Sequence, residues 1–211
     1  MPDAESSSPE SPSVADTPAR KRPKPGERRV QILEALATML EQPGAERITT
    51  AALAARLEVS EAALYRHFAS KAQMFEGLIE FIEQSVFTLV NQIAEREPAG
   101  GAQAAKVVAM LLQFAEKNPG MTRVMVGDAL VYENERLQQR MNQFFDKIES
   151  SLKQSLRGAA DAEGSATPSL DAQVRASMLT AFVVGRLQRF ARSGFKRTPS
   201  EHLEACLARM L

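Results

Sequence analysis

The 211-residue sequence predicts an all-α protein, and three features predict it. Apolar residues recur at three- and four-residue spacing through each long segment, the period of an amphipathic helix. Ser, Thr, Pro and Gly stand at the points where such segments begin and end, as helix caps and breakers do. Two of the segments are short and lie three or four residues apart, the arrangement of a helix-turn-helix.

The first stretch is not helical. Residues 1–19 hold Asp3, Glu5, Glu10 and Asp16, no base, and mostly Ser and Pro otherwise. So little apolar surface cannot offset the entropy of ordering, and a disordered acidic tail is expected. A basic arm follows: Arg20, Lys21, Arg22 and Lys24, then Arg28 and Arg29. The chain carries 26 bases and 26 acids, yet ten of those bases fall in residues 20–75 against six acids. Zero net charge therefore conceals a local basic region. On charge alone it is either a solvated leader or an arm that neutralises phosphates.

The first helix starts near Glu27, with Val30, Leu33, Leu36, Ala37 and Leu40 on one face, and Pro43-Gly44 ends it. Thr49 or Thr50 N-caps a second helix, Ala51 to Leu57. Ser60 caps a third that has Glu61 in its first turn and runs to about His67, and Ser70 caps a fourth beginning at Lys71. Ala54 is small where the second and third helices approach, and Leu57, Val59 and Leu64 are apolar where the pair must pack on the first. Glu58 stands at the turn position where a left-handed backbone favours Gly, at a cost of roughly 1–2 kcal/mol for any other residue.

The fourth helix extends to about Arg96, where Glu97-Pro98-Ala99-Gly100-Gly101 halts it. Phe75, Leu78, Ile79, Ile82, Val86, Leu89 and Ile93 form its apolar stripe, while Met74 and Phe81 lie off it and mark a candidate partner patch. A fifth helix covers Gln103 to Lys117 and stops at Asn118-Pro119-Gly120; a sixth helical region spans Met121 to Leu130. The seventh, Glu133 to Arg157, turns Leu137, Met141, Phe144, Phe145, Ile148 and Leu152 inward. Residues 158–169, rich in Gly, Ala, Ser and Asp, are expected to form a mobile linker. The eighth helix starts at Asp171 and reaches about Gly194. It is apolar on more than one face, with Val174, Met178, Phe182 and Gly185 beside Leu179, Val183, Leu187 and Phe190. The ninth, about Pro199 to Leu211, offers Leu203, Leu207 and Met210. A helix apolar on two faces needs two partners, so the last two helices are expected to build a C2 four-helix dimer interface through Met178, Phe182, Gly185, Leu203 and Leu207.

Several function classes have little support. One cysteine and two histidines rule out a disulfide framework and a multi-Cys zinc site, and a lone cysteine fits a reducing cytoplasm. No apolar run approaches the roughly 20 residues a bilayer span requires, so no membrane partner is expected, and the N-terminus lacks the pattern of a signal peptide. There is no Gly-rich phosphate loop, HExxH or GxSxG, and the sequence reads as a non-enzyme without a cofactor. His202 lies four residues before Cys206, within reach on a helix, as helix-surface neighbours often do by chance.

The run Ile48-Thr49-Thr50, Leu-Ala-Ala-Arg-Leu-Glu-Val-Ser (53–60), Leu64-Tyr65-Arg66-His67-Phe68 and Ser70-Lys71 resembles the DNA-binding domain of TetR-type regulators. The resemblance implies an N-terminal helix-turn-helix domain, here 20–75 with its arm, and a C-terminal helical core and dimerisation domain, 76–211. It implies Tyr65 and Lys71 as phosphate clamps and His67 as a further contact. A hydroxyl, an ammonium and a helix N-terminus are the groups that grip phosphate. For His67 a packed imidazole stands beside the contact reading, and Phe68 reads as core. Ser60, Glu61, Ala62 and Ala63 lead the recognition helix, with Tyr65 and Arg66 behind them. Alanine reads only a thymine methyl and Glu61 accepts from cytosine N4, so specificity rests partly on DNA shape and on Thr49 and Thr50. Arg28 and Arg29 complete the candidate DNA contacts.

The segments 47–83, 116–130, 135–149 and 192–196, in that order, are similar to the nucleoid occlusion members of the TetR family. That resemblance implies homodimers on palindromic double-stranded DNA, one or several per site, in the cytoplasm on the nucleoid. It implies that the DNA-bound protein engages the division protein FtsZ and antagonises its assembly. The contacting surface would lie around the fourth and fifth helices, at Phe81, Lys117 and Asn118. The runner-up is a ligand-responsive repressor, with an apolar cavity lined by Met110, Phe114, Met125, Met141, Phe144 and Phe182, although core packing explains the same residues. A helical adaptor that never touches DNA is disfavoured by the basic arm and by Tyr65, His67 and Lys71.

Overall fold

The computed structural model describes residues 26–42 and 48–211. The acidic tail, arm residues 20–24 and the Pro43-Gly44 stop lie outside the described residues. Among those described, the fold is all-α: α1 (Glu27–Leu40), α2 (Thr50–Arg56), α3 (Glu61–Tyr65), α4 (Lys71–Arg96), α5 (Gly101–Lys117), α6 (Pro119–Met125), a 3₁₀ turn (Asp128–Leu130), α7 (Glu135–Ala162), α8 (Pro168–Arg192) and α9 (Leu203–Met210).

The N-terminal caps form as the sequence predicts. Thr49 Oγ1 accepts from the Ala52 amide at 3.1 Å, Ser60 Oγ from Ala63 at 3.3 Å and Ser70 Oγ from Gln73 at 3.2 Å. Each satisfies one of the amides that a helix start leaves without an intrahelical acceptor. Thr49, not Thr50, is thus the α2 cap.

Two helices bury faces that differ from the expected stripes. In α1 the buried residues are Ile32, Leu36, Ala37 and Leu40, with Leu33 packed against them, while Val30 is exposed. In α4 Met74 is fully buried, Val90 is buried and Leu89 is exposed. Met74 therefore belongs to the core and not to an outward patch with Phe81. The reason is that both helices are packed from several sides. α1 meets α2, α4 and α6; α4 meets α1, α5, α6 and α7. One core runs continuously from Ile32 and Leu53 through α4 into α5, α7 and α8, and ends at Leu207.

α7 and α8 make the most extensive pairing in the molecule, and the segment that joins them is not a dozen-residue linker. α7 continues to Ala162 and α8 begins at Pro168. Gly164, at φ +73°, closes α7: its amide donates to Asp161 O and that of Ser165 to Ala160 O, both at 3.1 Å. This is a Schellman stop. On the other side Pro168 takes the first helical position, and Asp171 accepts from the hydroxyls of Ser165 and Thr167. The Ala-rich residues 158–162 extend the helix because alanine is the best helix former.

α8 ends in the same device. The Gly194 amide donates to Ala191 O at 3.1 Å and the Phe195 amide to Phe190 O at 3.0 Å. The Phe195 and Phe190 rings then meet edge-on at 5.1 Å. Arg123 of α6 lies over the Phe195 ring at 5.2 Å, so the 192–196 segment ties the end of α8 to α6.

Candidate nucleic-acid interface

α2 and α3 are joined by a turn that backbone hydrogen bonds define closely. Glu58 adopts φ +54°, its amide donates to Ala55 O at 3.1 Å, and the Val59 amide donates to Ala54 O at 3.0 Å. These are again the two bonds of a Schellman stop, with glutamate where glycine is favoured. Glu58→Gly, which relieves the left-handed strain, is therefore expected to be more stable by about 0.5–1 kcal/mol than Glu58→Ala, which keeps it. Thermal unfolding of the two proteins checks this, and a lower midpoint for the glycine form would contradict it.

Across the turn, Thr50 Oγ1 donates to Glu61 Oε2 at 2.6 Å and links the start of α2 to the start of α3. Two candidate base readers thus hold each other in the free chain. Thr49, Ser60, Glu61, Ala62, Tyr65, Arg66 and His67 are exposed; Thr50 and Ala63 are half-buried. The exposed residues gather on α3 and the segments that flank it. Phe68 is buried as expected, whereas exposed His67 does not sit in the core.

The arginines of α1 have internal tasks. Arg29 Nη1 donates to the His67 carbonyl at 3.1 Å, and its guanidinium lies 4.2 Å over the Phe68 ring. It braces the α3–α4 loop against α1. Arg28 donates to Gln31 Oε1 at 3.1 Å. Lys71, first residue of α4, is half-buried and paired with Glu133, a contact between positions 62 apart that no sequence pattern signals.

Residues 32–78 match the model of bacterial regulatory proteins of the tetR family, and residues 102–210 match the SlmA-like model of Tetracyclin repressor-like C-terminal domains. The nucleoid occlusion factor SlmA of Idiomarina loihiensis is 52% identical over 178 residues, 84% of this chain and 90% of that protein. That of Aliivibrio fischeri is 53% identical over 181 residues, 85% of this chain and 92% of that protein. The chain belongs to the SlmA family of nucleoid occlusion factors. The fatty acid degradation regulator FadR of Bacillus halodurans shares the fold alone, with a TM-score of 0.70 at 15% identity over 89% of this chain and 96% of that one. SlmA-type TetR regulators bind DNA and act as dimers.

The other candidate surfaces of this SlmA-family chain are placed as follows. Phe81 is 48% exposed on α4. Lys117 is exposed at the end of α5, while half-buried Asn118 donates its side-chain amide to Phe114 O at 2.7 Å and so closes α5. On α8, Leu170, Val174 and Met178 are 59%, 50% and 51% exposed at four-residue spacing. Phe182 and Leu203 are half-buried, and a Cβ on Gly185 would meet nothing within 4 Å. Leu207 differs from the expectation: at 8% exposure it belongs to its own chain's core, because α9 folds that face onto the bundle. Leu170 went unnoticed in the sequence because it lies between the stretch read as a linker and the helix expected to start at Asp171, whereas α8 begins at Pro168.

Met125, Met141 and Phe144 fill the core, Phe144 touching the rings of Phe87 and Phe145, while Met110, Phe114 and Phe182 pack against it. Core packing accounts for all six of these residues. Cys206 Sγ accepts from Arg186 at 3.3 Å, and the exposed His202 ring lies 3.7 Å from the Glu201 carboxylate. Among the described residues no helix is long and apolar enough to cross a membrane, and no group of three or more His, Cys, Asp or Glu is placed to hold a metal ion.

Proposed function

We propose that this SlmA-family protein, bound as a dimer to palindromic DNA on the nucleoid, engages FtsZ and antagonises its assembly. In this reading Tyr65, His67, Arg66 and Lys71 hold the phosphate backbone and Ser60 to Ala63 face the base edges, with Thr49 and Thr50 beside them. Arg28 and Arg29 complete the contacts, and Arg29 also braces the α3–α4 loop against α1. The observation that carries the FtsZ part is Phe81, a large aromatic left half in solvent on α4, the helix that begins at the phosphate clamp Lys71. Lys117 adds a cation at the end of the neighbouring α5. DNA that orders the start of α4 thereby acts on the helix that presents Phe81. By linkage, FtsZ then tightens DNA binding by the factor by which DNA tightens FtsZ binding.

Light scattering of GTP-assembled FtsZ tests this, with the protein added in the presence or absence of a duplex that it binds. Loss of polymer that requires the duplex is the expected result. Phe81→Ala is expected to abolish it while keeping DNA affinity and changing stability by less than about 0.5 kcal/mol, as for an exposed site. Unchanged polymer with the duplex demonstrably bound would overturn the reading in favour of an effector-controlled repressor.

A further inference from the structure

Lys71 meets a carboxylate before it meets DNA. Its Nζ donates to Glu133 Oε1 at 2.5 Å, and the side chains are 27% and 10% exposed respectively. Glu133 comes from a different part of the chain: its amide donates to Leu130 O at 3.0 Å, closing the 3₁₀ turn, and α7 starts two residues later. The carboxylate therefore lies at the first residue of a 26-residue helix. An ammonium and a helix N-terminus together favour an anion there, and phosphate is the anion that DNA brings to the same place.

Two further pairs join α4 to α7, and they make the first one distinctive. Glu76 pairs with Arg136 at 2.7 Å, and Glu83 pairs with Arg140 at 2.6 Å. In both, α4 supplies the acid and the α7 side the base. Only at its phosphate-facing end does this ladder place the base on α4 and the acid opposite. The two lower pairs hold α4 and α7 together without Lys71, so the uppermost pair can exchange partners without separating the helices.

We infer that Glu133 is an internal substitute for phosphate, holding Lys71 in the free protein and yielding it to DNA. The inference rests on Lys71 being a phosphate clamp. Glu133 is then a positioning residue that sets the affinity and salt response of the clamp. Each Lys71–phosphate contact replaces an ion pair already made and leaves a carboxylate near the DNA. Release also frees one end of the segment bearing exposed Val131 and Tyr132.

The test is Glu133→Gln, Lys71→Met and the double variant, titrated with a fluorescein-labelled duplex of mixed sequence over a range of salt. Glu133→Gln is expected to tighten binding between about threefold and thirtyfold at low salt and to steepen the salt slope by up to about one per chain. Lys71→Met is expected to weaken binding, and in that background Glu133→Gln is expected to change little. Glu133→Gln that melts as wild type but binds no tighter, or that tightens binding equally without Lys71, overturns the inference. If Lys71→Met itself binds as wild type does, the clamp reading has failed and the inference falls with it. Hydrogen exchange on the unaltered protein gives a second readout that needs no variant to fold. Faster exchange across residues 129–137 on adding duplex supports release, and protection there overturns it.

Discussion

Gly120→Ala is expected to separate the DNA-binding helices from the core. A Cβ at Gly120 would stand 1.9 Å from the Ala37 carbonyl oxygen, 2.9 Å from its carbon and 3.2 Å from Leu40 Cβ. The first two of these are backbone atoms, so no rotamer change relieves the overlap and a helix must move. α6 has little freedom to do so. Thr122, fully buried, donates its hydroxyl to Ala115 O at 3.0 Å and Asn118 O at 3.1 Å, which fixes α6 to the end of α5. The displaced element is then α1, and lifting it exposes Leu36, Ala37 and Leu40. Overpacking of a side chain costs about 1–3 kcal/mol; a backbone overlap at the main contact between α1 and the core is expected to cost more than about 3. For a chain of this size that lowers the melting midpoint by about 6–12 °C. Calorimetry reads the first effect and DNA titration the second, since a helix-turn-helix hung on a displaced α1 no longer presents both half-sites at fixed spacing. A midpoint within a degree of wild type would mean that α1 and α6 do not meet this closely.

What was legible in the sequence and what was not follow a physical division. The caps Thr49, Ser60 and Ser70 and the left-handed Glu58 are decided within four residues of chain, and each forms as its neighbours dictate. The faces of α1 and α4 are decided by how many other elements press on them. A single-stripe reading therefore misplaces Val30, Met74 and Leu89, and passes over Ile32 and Val90. The α7–α8 connection carried its signals, Gly164 before Pro168, but composition hid them: alanine and serine look like linker when they are the last turn of one helix and the turn into the next. The Lys71–Glu133 pair had no local signal at all, since it exists only once α7 has folded back along α4.

The largest functional effect is expected from Met178→Glu. Leu170, Val174 and Met178 leave half or more of three apolar side chains in solvent along one face of α8. Such a contiguous patch marks an interaction surface, and in a dimeric family the natural occupant is the same face of a second copy. Just beyond it, the open space over Gly185 allows a partner helix to approach closely. A glutamate at 178 would bury two carboxylates per dimer, each at a cost of several kcal/mol when unpaired. The protein is therefore expected to sediment as a monomer while its circular dichroism is unchanged, because Met178 lies outside its own chain's core. DNA affinity should fall by about two to four orders of magnitude, because a dimer engages its second half-site at high effective concentration and a monomer does not. Duplex-dependent loss of FtsZ polymer should disappear with it. Leu207, buried in its own chain, gives the opposite pattern: Leu207→Glu is expected to unfold α9 before it affects association. If Met178→Glu remained a dimer with wild-type DNA affinity, the two-fold would have to run through another face, and the exposed row on α8 would require a different partner.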